Sequence, residues 1–159
     1  MRDRLAAAII RGMNKIVVGV DGSPQAMEAL RWAIAEAQLR GAALQVVHAW
    51  QFPAPGIGPF AGPYDGELIQ ALRRDAEELV ERALGEAGVP DGVRVEQTVV
   101  EGAAAPTLVE AADDADLLVV GSRGHGGFSG LLLGSVSQQC AQHARCPVVI
   151  VRTHADGRR

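Results

Sequence analysis

The 159-residue sequence has few aromatic side chains, a single lysine, two cysteines and no long apolar run. Phe, Trp and Tyr make up 4% of the residues, so the core must be built mainly from Ala, Val, Leu and Ile. A membrane-spanning helix needs about 18 or more apolar residues in a row, and no stretch reaches that length, so neither a span nor a membrane partner is predicted. The length predicts one domain.

The charge balance excludes a further class of partners. Nineteen acidic residues exceed fifteen basic ones, which gives a formal net charge of −4. The basic residues form no long cluster, so no nucleic-acid or anionic-membrane surface is predicted. The tail 157–159 is too short to change this.

The cysteines and histidines do not have the spacing of a metal or redox site. Cys140 and Cys146 are spaced C-x5-C, which is neither a redox pair nor half of a zinc cluster. They are predicted to be free packing thiols, which fits a reducing compartment and a cytoplasmic protein. His125, His143 and His154 lack metal-ligand spacing with Asp, Glu or Cys, so no structural metal is predicted.

Apolar strand-like runs alternate with helix-like periodicity along the whole chain. The predicted strands are 14–20, 43–50, 93–100, 116–120 and 147–152, and the predicted helices are 24–40, 67–87, 106–113 and 135–143. Strict β-α alternation predicts a doubly wound α/β fold with one open parallel sheet and helices on both faces. Strands one and four are the most apolar and belong in the middle, whereas strand three alternates and belongs at an edge. The order 3-2-1-4-5 meets both conditions and puts a topological switch point, where ligands bind, between strands one and four.

Three further segments are assigned from their composition. Residues 1–13 are predicted to be an N-terminal extension, with Met13 as an alternative start, residues 14–153 the domain, and residues 154–159 a C-terminal tail. The segment 51–66 has four prolines and four glycines, which predicts a long loop. A loop of this length is usually a functional loop, a lid or disordered, and its role stays open.

The segment 121–136 carries the chemical signal. It reads G-x2-G-x9-G-S, with Gly121, Gly124, Gly134 and Ser135 at the fixed positions. Glycines let the backbone turn close to an anion with its N–H groups pointing inward, and the first turn of the helix that follows favours phosphate. Ser135 is expected to cap that helix or to donate its hydroxyl to a phosphate. The alternative is that the glycines simply make a mobile connection.

The end of strand one, Gly19-Val20-Asp21, is expected to face the same crevice. A carboxylate beside a phosphate loop commonly accepts hydrogen bonds from ribose hydroxyls, but Asp21 is also a possible cap for the first helix. Arg123 is either a phosphate clamp or a solvated loop residue. His48, at the end of strand two, is expected to be packed or hydrogen-bonded rather than to act as a ligand or base.

Two common nucleotide motifs are absent. The P-loop requires a lysine after its second glycine, and Lys15 lies at the opposite end of strand one. The dinucleotide fingerprint GxGxxG should follow the first strand, and the residues there do not match it.

Taken together, these residues resemble the universal stress protein family. The opening 16–23, the G-x2-G-x9-G-S segment and the closing 145–151 carry the resemblance, which extends over residues 14–152. It implies the 3-2-1-4-5 fold and homodimers, with adenine and ribose held near Asp21 and Ala49. It implies that the phosphates lie on Gly121, Gly124, Gly134, Ser135 and Val136, while Ser122, Arg123, His125 and Gly127 inside the loop, and Gly19 and Val20 beside Asp21, complete the predicted site.

The resulting prediction is an ATP-binding stress-response regulator or sensor. It has no catalytic residues and at most weak ATP hydrolysis, and Mg²⁺ is held mainly by the phosphate oxygens and water. ADP, AMP and cyclic nucleotides stay open as ligands. Strand five is predicted to pair with a second copy in a homodimer. The alternatives are a slow ATPase or adenylate-handling enzyme, and a nucleotide-free dimeric interaction module.

Overall fold

The computed structural model describes residues 14–52, 66–125 and 133–153. The strands in these ranges form one parallel sheet in the order β3-β2-β1-β4-β5, which confirms the predicted order. In chain order the elements are β1 (Lys15–Gly19), α1 (Pro24–Arg40), β2 (Ala43–Trp50), α2 (Gly66–Ala87), β3 (Val95–Glu101), α3 (Ala104–Ala111), β4 (Leu117–Gly121), α4 (Ser135–His143) and β5 (Val148–Val151).

Both faces of the sheet are buried, because successive side chains of a parallel strand point to opposite sides and helices cover each side. In β1, Ile16 and Val18 pack under α1 and α2, whereas Val17 packs under α3 and α4. All three side chains are fully buried. Each such burial contributes about 1.5–3 kcal/mol, so the central strands anchor the fold.

Helix α1 begins and ends where the sequence predicts. The Ser23 hydroxyl accepts a hydrogen bond from the Ala26 N–H at 3.2 Å, and Pro24 occupies the first helical position. Gly41 ends the helix with φ of 66°, a left-handed conformation that glycine adopts without strain.

Three predicted boundaries were wrong by two residues. Helix α3 ends at Ala111 rather than at Asp113. Helix α3 begins at Ala104 rather than at Pro106, because a proline within the first turn gives up an N–H that would have no partner inside the helix. Strand β3 begins at Val95 rather than at residue 93. In the described ranges no helix is both long enough and apolar enough to cross a membrane.

The topology brings the carboxyl ends of several strands together on one side of the sheet. Strands β1 and β4 are neighbours, with Ile16 opposite Leu117 and Val18 opposite Val119. Because all strands are parallel, the residues that follow β1, β2 and β4 lie at the same edge, where the helices also begin. The structure therefore puts the Asp21 turn and the start of the glycine-rich loop side by side.

Candidate functional site

A cavity of about 180 Å³ opens at the carboxyl ends of β1 and β4. The end of β1, the end of β2 and both ends of the glycine-rich loop form most of its wall. The predicted site residues in this wall are Gly19, Val20, Asp21, Ala49, Gly121, Arg123, Gly124, His125, Gly134, Ser135 and Val136.

Two predicted residues are not found in this wall. The Ser122 side chain is buried, and the backbone of this residue ties the loop to the sheet: its N–H donates to Val151 O at 2.7 Å, and its carbonyl accepts from the Gly134 N–H at 2.7 Å. Ser122 therefore joins the two ends of the loop. Gly127 lies outside the described residues.

Sequence reasoning missed part of the wall. Ser137 is buried, and its hydroxyl lies 3.0 Å from both the Ser122 carbonyl and the Gly134 carbonyl, so it links the two ends of the loop. Its position two residues after the Gly-Ser pair was the one available signal. The apolar members look like ordinary core residues in the sequence; they are Ala26, Val47, Ala104, Leu108 and Val120.

The Asp21 carboxylate is bonded to backbone on two sides. Its Oδ1 accepts from the Ser23 N–H at 2.9 Å, and its Oδ2 accepts from the His125 N–H at 3.1 Å. Since Ser23 supplies the side-chain cap of α1, the alternative in which Asp21 caps this helix was wrong. Asp21 instead shapes the turn after β1 and reaches the loop after β4.

Two helices begin at the cavity without a side-chain cap. Helix α4 is preceded by Gly134, and Ser135 is its first helical residue, so of the two roles predicted for Ser135 the capping role was wrong. Helix α3 is preceded by Ala103, which also lacks a capping side chain. Ala104 and Ser135 both line the cavity. First-turn N–H groups have no partner within a helix, and together with the helix dipole they favour a bound anion.

The three glycines of the motif have different neighbours. A methyl group on Gly121 would lie 2.8 Å from the Gln25 carbonyl carbon in the first turn of α1. A methyl group on Gly124 would overlap the Asp21 Oδ2 atom. Among the described residues, the atoms nearest to a methyl group on Gly134 would be backbone atoms of residues 122–124, at 3.4 Å or more, which is ordinary contact. Packing within the described residues therefore explains glycine at 121 and 124, and it does not explain glycine at 134.

The polar side chains of the cavity wall suit a ligand that carries both an anionic group and hydroxyl groups. Arg123 and His125 supply basic side chains, and Asp21 supplies a carboxylate. Across the part of the chain that the structure describes, no three His, Cys, Asp or Glu side chains are grouped to hold a metal ion.

The remaining residues considered from the sequence lie outside this wall. The Nδ1 atom of His48 lies 2.8 Å from the Val20 carbonyl, so this imidazole is hydrogen-bonded, as predicted. Cys140 and Cys146 are free. Burial raises the pKa of the Cys140 thiol to about 11 and also raises the pKa of the Cys146 thiol, which fits the predicted packing role.

Comparison with known sequences places these features in a family. Residues 12–152 match the universal stress protein family. A universal stress protein of Mycobacterium tuberculosis is 43% identical over 145 residues, which cover 86% of this chain and 46% of the relative. The chain thus spans about half the length of this relative. A universal stress protein of Thermus aquaticus is 38% identical over 139 residues, which cover 86% of this chain and 97% of the relative.

Solved structures give the same result. A universal stress protein in complex with cAMP is 33% identical, with a TM-score of 0.59 and coverage of 90% of this chain and 99% of the other. The universal stress protein of Archaeoglobus fulgidus in complex with dAMP is 29% identical, with a TM-score of 0.56 and coverage of 87% and 97%. The family match over residues 12–152 and these relatives together show that this chain belongs to the universal stress protein family.

Proposed function

We propose that this domain binds an adenine nucleotide in the cavity between the ends of β1 and β4 and acts as a regulator or sensor in the stress response. The observation that carries the proposal is the start of α4, where a helix N-terminus without a side-chain cap opens on the cavity. The residue before it is Gly134, and no contact with a described residue requires glycine there. ATP is the ligand that the G-x2-G-x9-G-S motif favours.

The residues fit the parts of a nucleotide. The N–H groups at the start of α4 and the Arg123 guanidinium suit phosphate oxygens, because both present donors and positive charge. The Asp21 carboxylate retains lone pairs that can accept from ribose hydroxyls. The apolar wall, which includes Ala49, suits the faces of a base.

The relatives of known structure support the adenine and leave the number of phosphates open. Universal stress proteins 33% and 29% identical to this chain have been crystallised with cAMP and dAMP respectively. Both ligands carry one phosphate, whereas the motif favours three. Mg²⁺, if it accompanies a triphosphate, would be held mainly by phosphate oxygens and water.

We propose regulation rather than catalysis as the purpose of binding. Asp21 is the one carboxylate in the described cavity wall, and it accepts from two backbone N–H groups rather than facing a second carboxylate or a nucleophile. Slow hydrolysis by this site is compatible with a sensor. Sustained turnover with a second substrate, lost in Asp21→Ala, would favour an enzyme instead.

We also propose a homodimer, a cytoplasmic location and the limits of the folding unit. Every residue of β5 is partly exposed, and among the described strands β5 has a neighbour, β4, on one side only. Pairing of two β5 edges across a two-fold axis would complete the hydrogen bonding and make a homodimer. A monomeric mass in light scattering at micromolar concentration would contradict this.

Free cysteines agree with a cytoplasmic protein, and 14–153 is proposed as the folding unit.

The first experiment is to denature the purified protein and to identify any released nucleotide by liquid chromatography. Protein stripped of nucleotide is then titrated with ATP, ADP, AMP and cAMP in a calorimeter, with GTP as the control for the base. The proposal expects adenine nucleotides to bind with GTP at least about tenfold weaker, since a missed hydrogen bond at a buried base edge costs about 1–3 kcal/mol.

Gly134→Ala is the variant that tests the proposed ligand contact at the start of α4. It should weaken binding about tenfold or more with little loss of stability, because its methyl group meets only ordinary contacts in the free protein. Protein that is empty as purified and binds none of the nucleotides would contradict the proposal and favour the nucleotide-free interaction module.

A further inference from the structure

The carboxylate of Asp21 joins two loops that are far apart in the sequence. Its Oδ1 holds the turn after β1 through the Ser23 N–H, and its Oδ2 holds the glycine-rich loop through the His125 N–H at 3.1 Å. Asp21 and His125 are separated by 104 positions. The carboxylate is thus a tertiary contact between the loops that follow the two central strands.

The absence of a side chain at Gly124 leaves room for this carboxylate. A Cβ atom at position 124 would overlap Asp21 Oδ2, the same oxygen that accepts from His125. Gly124 is not among the glycines with positive φ, so its backbone conformation is open to other residues. The requirement for glycine at 124 is therefore a requirement for space beside Asp21.

The rest of the loop entrance is already fixed by other bonds. The Ser122 N–H donates to Val151 O, the Gly134 N–H donates to Ser122 O, and the buried Ser137 hydroxyl bridges the same two loop ends. Beyond the bonds at Ser122, the described part of the loop continues through residues 123–125. Among the hydrogen bonds of the described residues, the one from the His125 N–H to Asp21 spans this stretch and ties it back to β1.

We infer that Asp21 is a positioning residue, which fixes residues 123–125 of the glycine-rich loop on the end of β1 before any ligand arrives. A carboxylate beside an anion site repels the anion, but besides its proposed contact with the ribose this carboxylate offers a structural benefit. The benefit is that the loop is ordered in advance, which lowers the entropy cost that a ligand would otherwise meet on binding. The positioning itself rests on geometry alone, and its effect on affinity rests on the proposed nucleotide binding.

The first test measures the loop in nucleotide-free protein. Amide hydrogen exchange at His125 is followed by NMR in the wild type, in Gly124→Ala and in Gly134→Ala. Gly124→Ala should displace the carboxylate and speed exchange at His125 by about tenfold, whereas Gly134→Ala should change it less than about twofold. Equal exchange at His125 in all three proteins would overturn the inference.

The second test is a double-mutant cycle on ATP affinity with Asp21→Ala, Gly124→Ala and the protein carrying both changes. If Gly124 is glycine to admit the carboxylate, Gly124→Ala weakens binding about tenfold in the wild type and less than about twofold once Asp21 is alanine. If the methyl group instead crowds the phosphates, the loss is the same in both backgrounds, and the inference fails.

The two tests separate the inference from the proposed function. If the protein binds no nucleotide, the cycle has no signal, but the exchange rate of the His125 amide still decides whether Asp21 holds the loop. Circular dichroism of each variant checks that the fold is intact. A Gly124→Ala protein that does not fold is replaced by Asp21→Asn, which removes one of the two acceptor oxygens and should also speed exchange at His125.

Discussion

Gly121→Ala separates a packing role from a ligand role at the first glycine of the motif. The added methyl group would lie 2.8 Å from the Gln25 carbonyl carbon, 2.9 Å from the Gln25 oxygen and 3.0 Å from the Ala26 nitrogen. Ordinary contact begins at 3.4 Å, so the closest approach is about 0.6 Å too short. All three atoms belong to the backbone of α1, which cannot rotate away as a side chain can. The end of β4 and the first turn of α1 must therefore move apart.

The free-energy cost of this overlap is high because the displaced atoms belong to rigid backbone. Overpacking a close-packed core by one carbon usually costs about 1–3 kcal/mol, and backbone on both sides points to the upper end of that range. Domains of this size are stable by about 5–15 kcal/mol in total. A loss of about 3 kcal/mol corresponds to a fall of about 6–12 °C in melting temperature.

The assay is urea unfolding of nucleotide-free protein, followed by circular dichroism, with Gly134→Ala as the matched control. Both variants add one methyl group to a glycine of the same motif. Gly121→Ala should lower the free energy of unfolding by about 2–3 kcal/mol with an unchanged m-value. Gly134→Ala should lower it by no more than about 1 kcal/mol, the cost of replacing glycine by alanine at a helix N-cap.

One result would refute this reasoning. If nucleotide-free Gly121→Ala is as stable as the wild type and has lost only its nucleotide affinity, the close contact with α1 is relieved at no cost. Glycine at 121 would then be required by the ligand, as the motif alone suggested.

Four further predictions concern the framework of the site. Ser23→Ala removes the cap of α1 and should lower the melting temperature by about 2–4 °C in calorimetry, whereas Ser23→Asp should restore most of it. Ser137→Ala removes the hydroxyl between the Ser122 and Gly134 carbonyls and should cost about 1 kcal/mol in urea unfolding. Leu30→Ala leaves a cavity at a fully buried position and should cost about 2–5 kcal/mol in the same assay. Because burial raises the folded Cys140 pKa to about 11, the contribution of this thiol to the free energy of unfolding should be nearly constant below pH 9 and should fall by about 2 kcal/mol as pH rises from 9 to 11. Cys140→Ala should therefore reduce the alkaline loss of stability.

Each of these has a contrary outcome. An unchanged melting temperature in Ser23→Ala would mean that water caps α1 equally well. A neutral Ser137→Ala would mean that the backbone bond between Gly134 and Ser122 alone holds the loop stem. A loss below about 1 kcal/mol in Leu30→Ala would mean that α1 collapses onto the sheet. The same alkaline slope in Cys140→Ala would assign that slope to other groups.

Much of the fold could be predicted from local patterns. The apolar run of β1 and the mixed polar and apolar residues of β3 were enough to place one strand in the middle of the sheet and the other at its edge, because a strand buried on both faces carries mainly apolar side chains. Ser23 and Gly41 marked the ends of α1, since capping depends on a single side chain or a single backbone conformation.

The direction in which individual residues of the site face could not be predicted in the same way. Ser122 and Arg123 are neighbours in the glycine-rich loop, yet only Arg123 lines the cavity. Ser122 is turned inward because its N–H bonds to β5, which lies 29 positions later in the chain. Ala104 and Leu108 look like core residues in the sequence, and they reach the cavity only because α3 begins at the same edge of the sheet.

The sequence by itself determined the family, the strand order and the edge of the sheet where the site lies, because each of these follows from local periodicity and from a motif of fixed spacing. Only the tertiary structure decided what each motif glycine does. Gly121 gives room to the backbone of α1, Gly124 gives room to the Asp21 carboxylate, and Gly134 has no contact with a described residue that would require glycine. The physical reason is that the space around a Cβ position is set by atoms that are distant in the chain, and no local pattern records them.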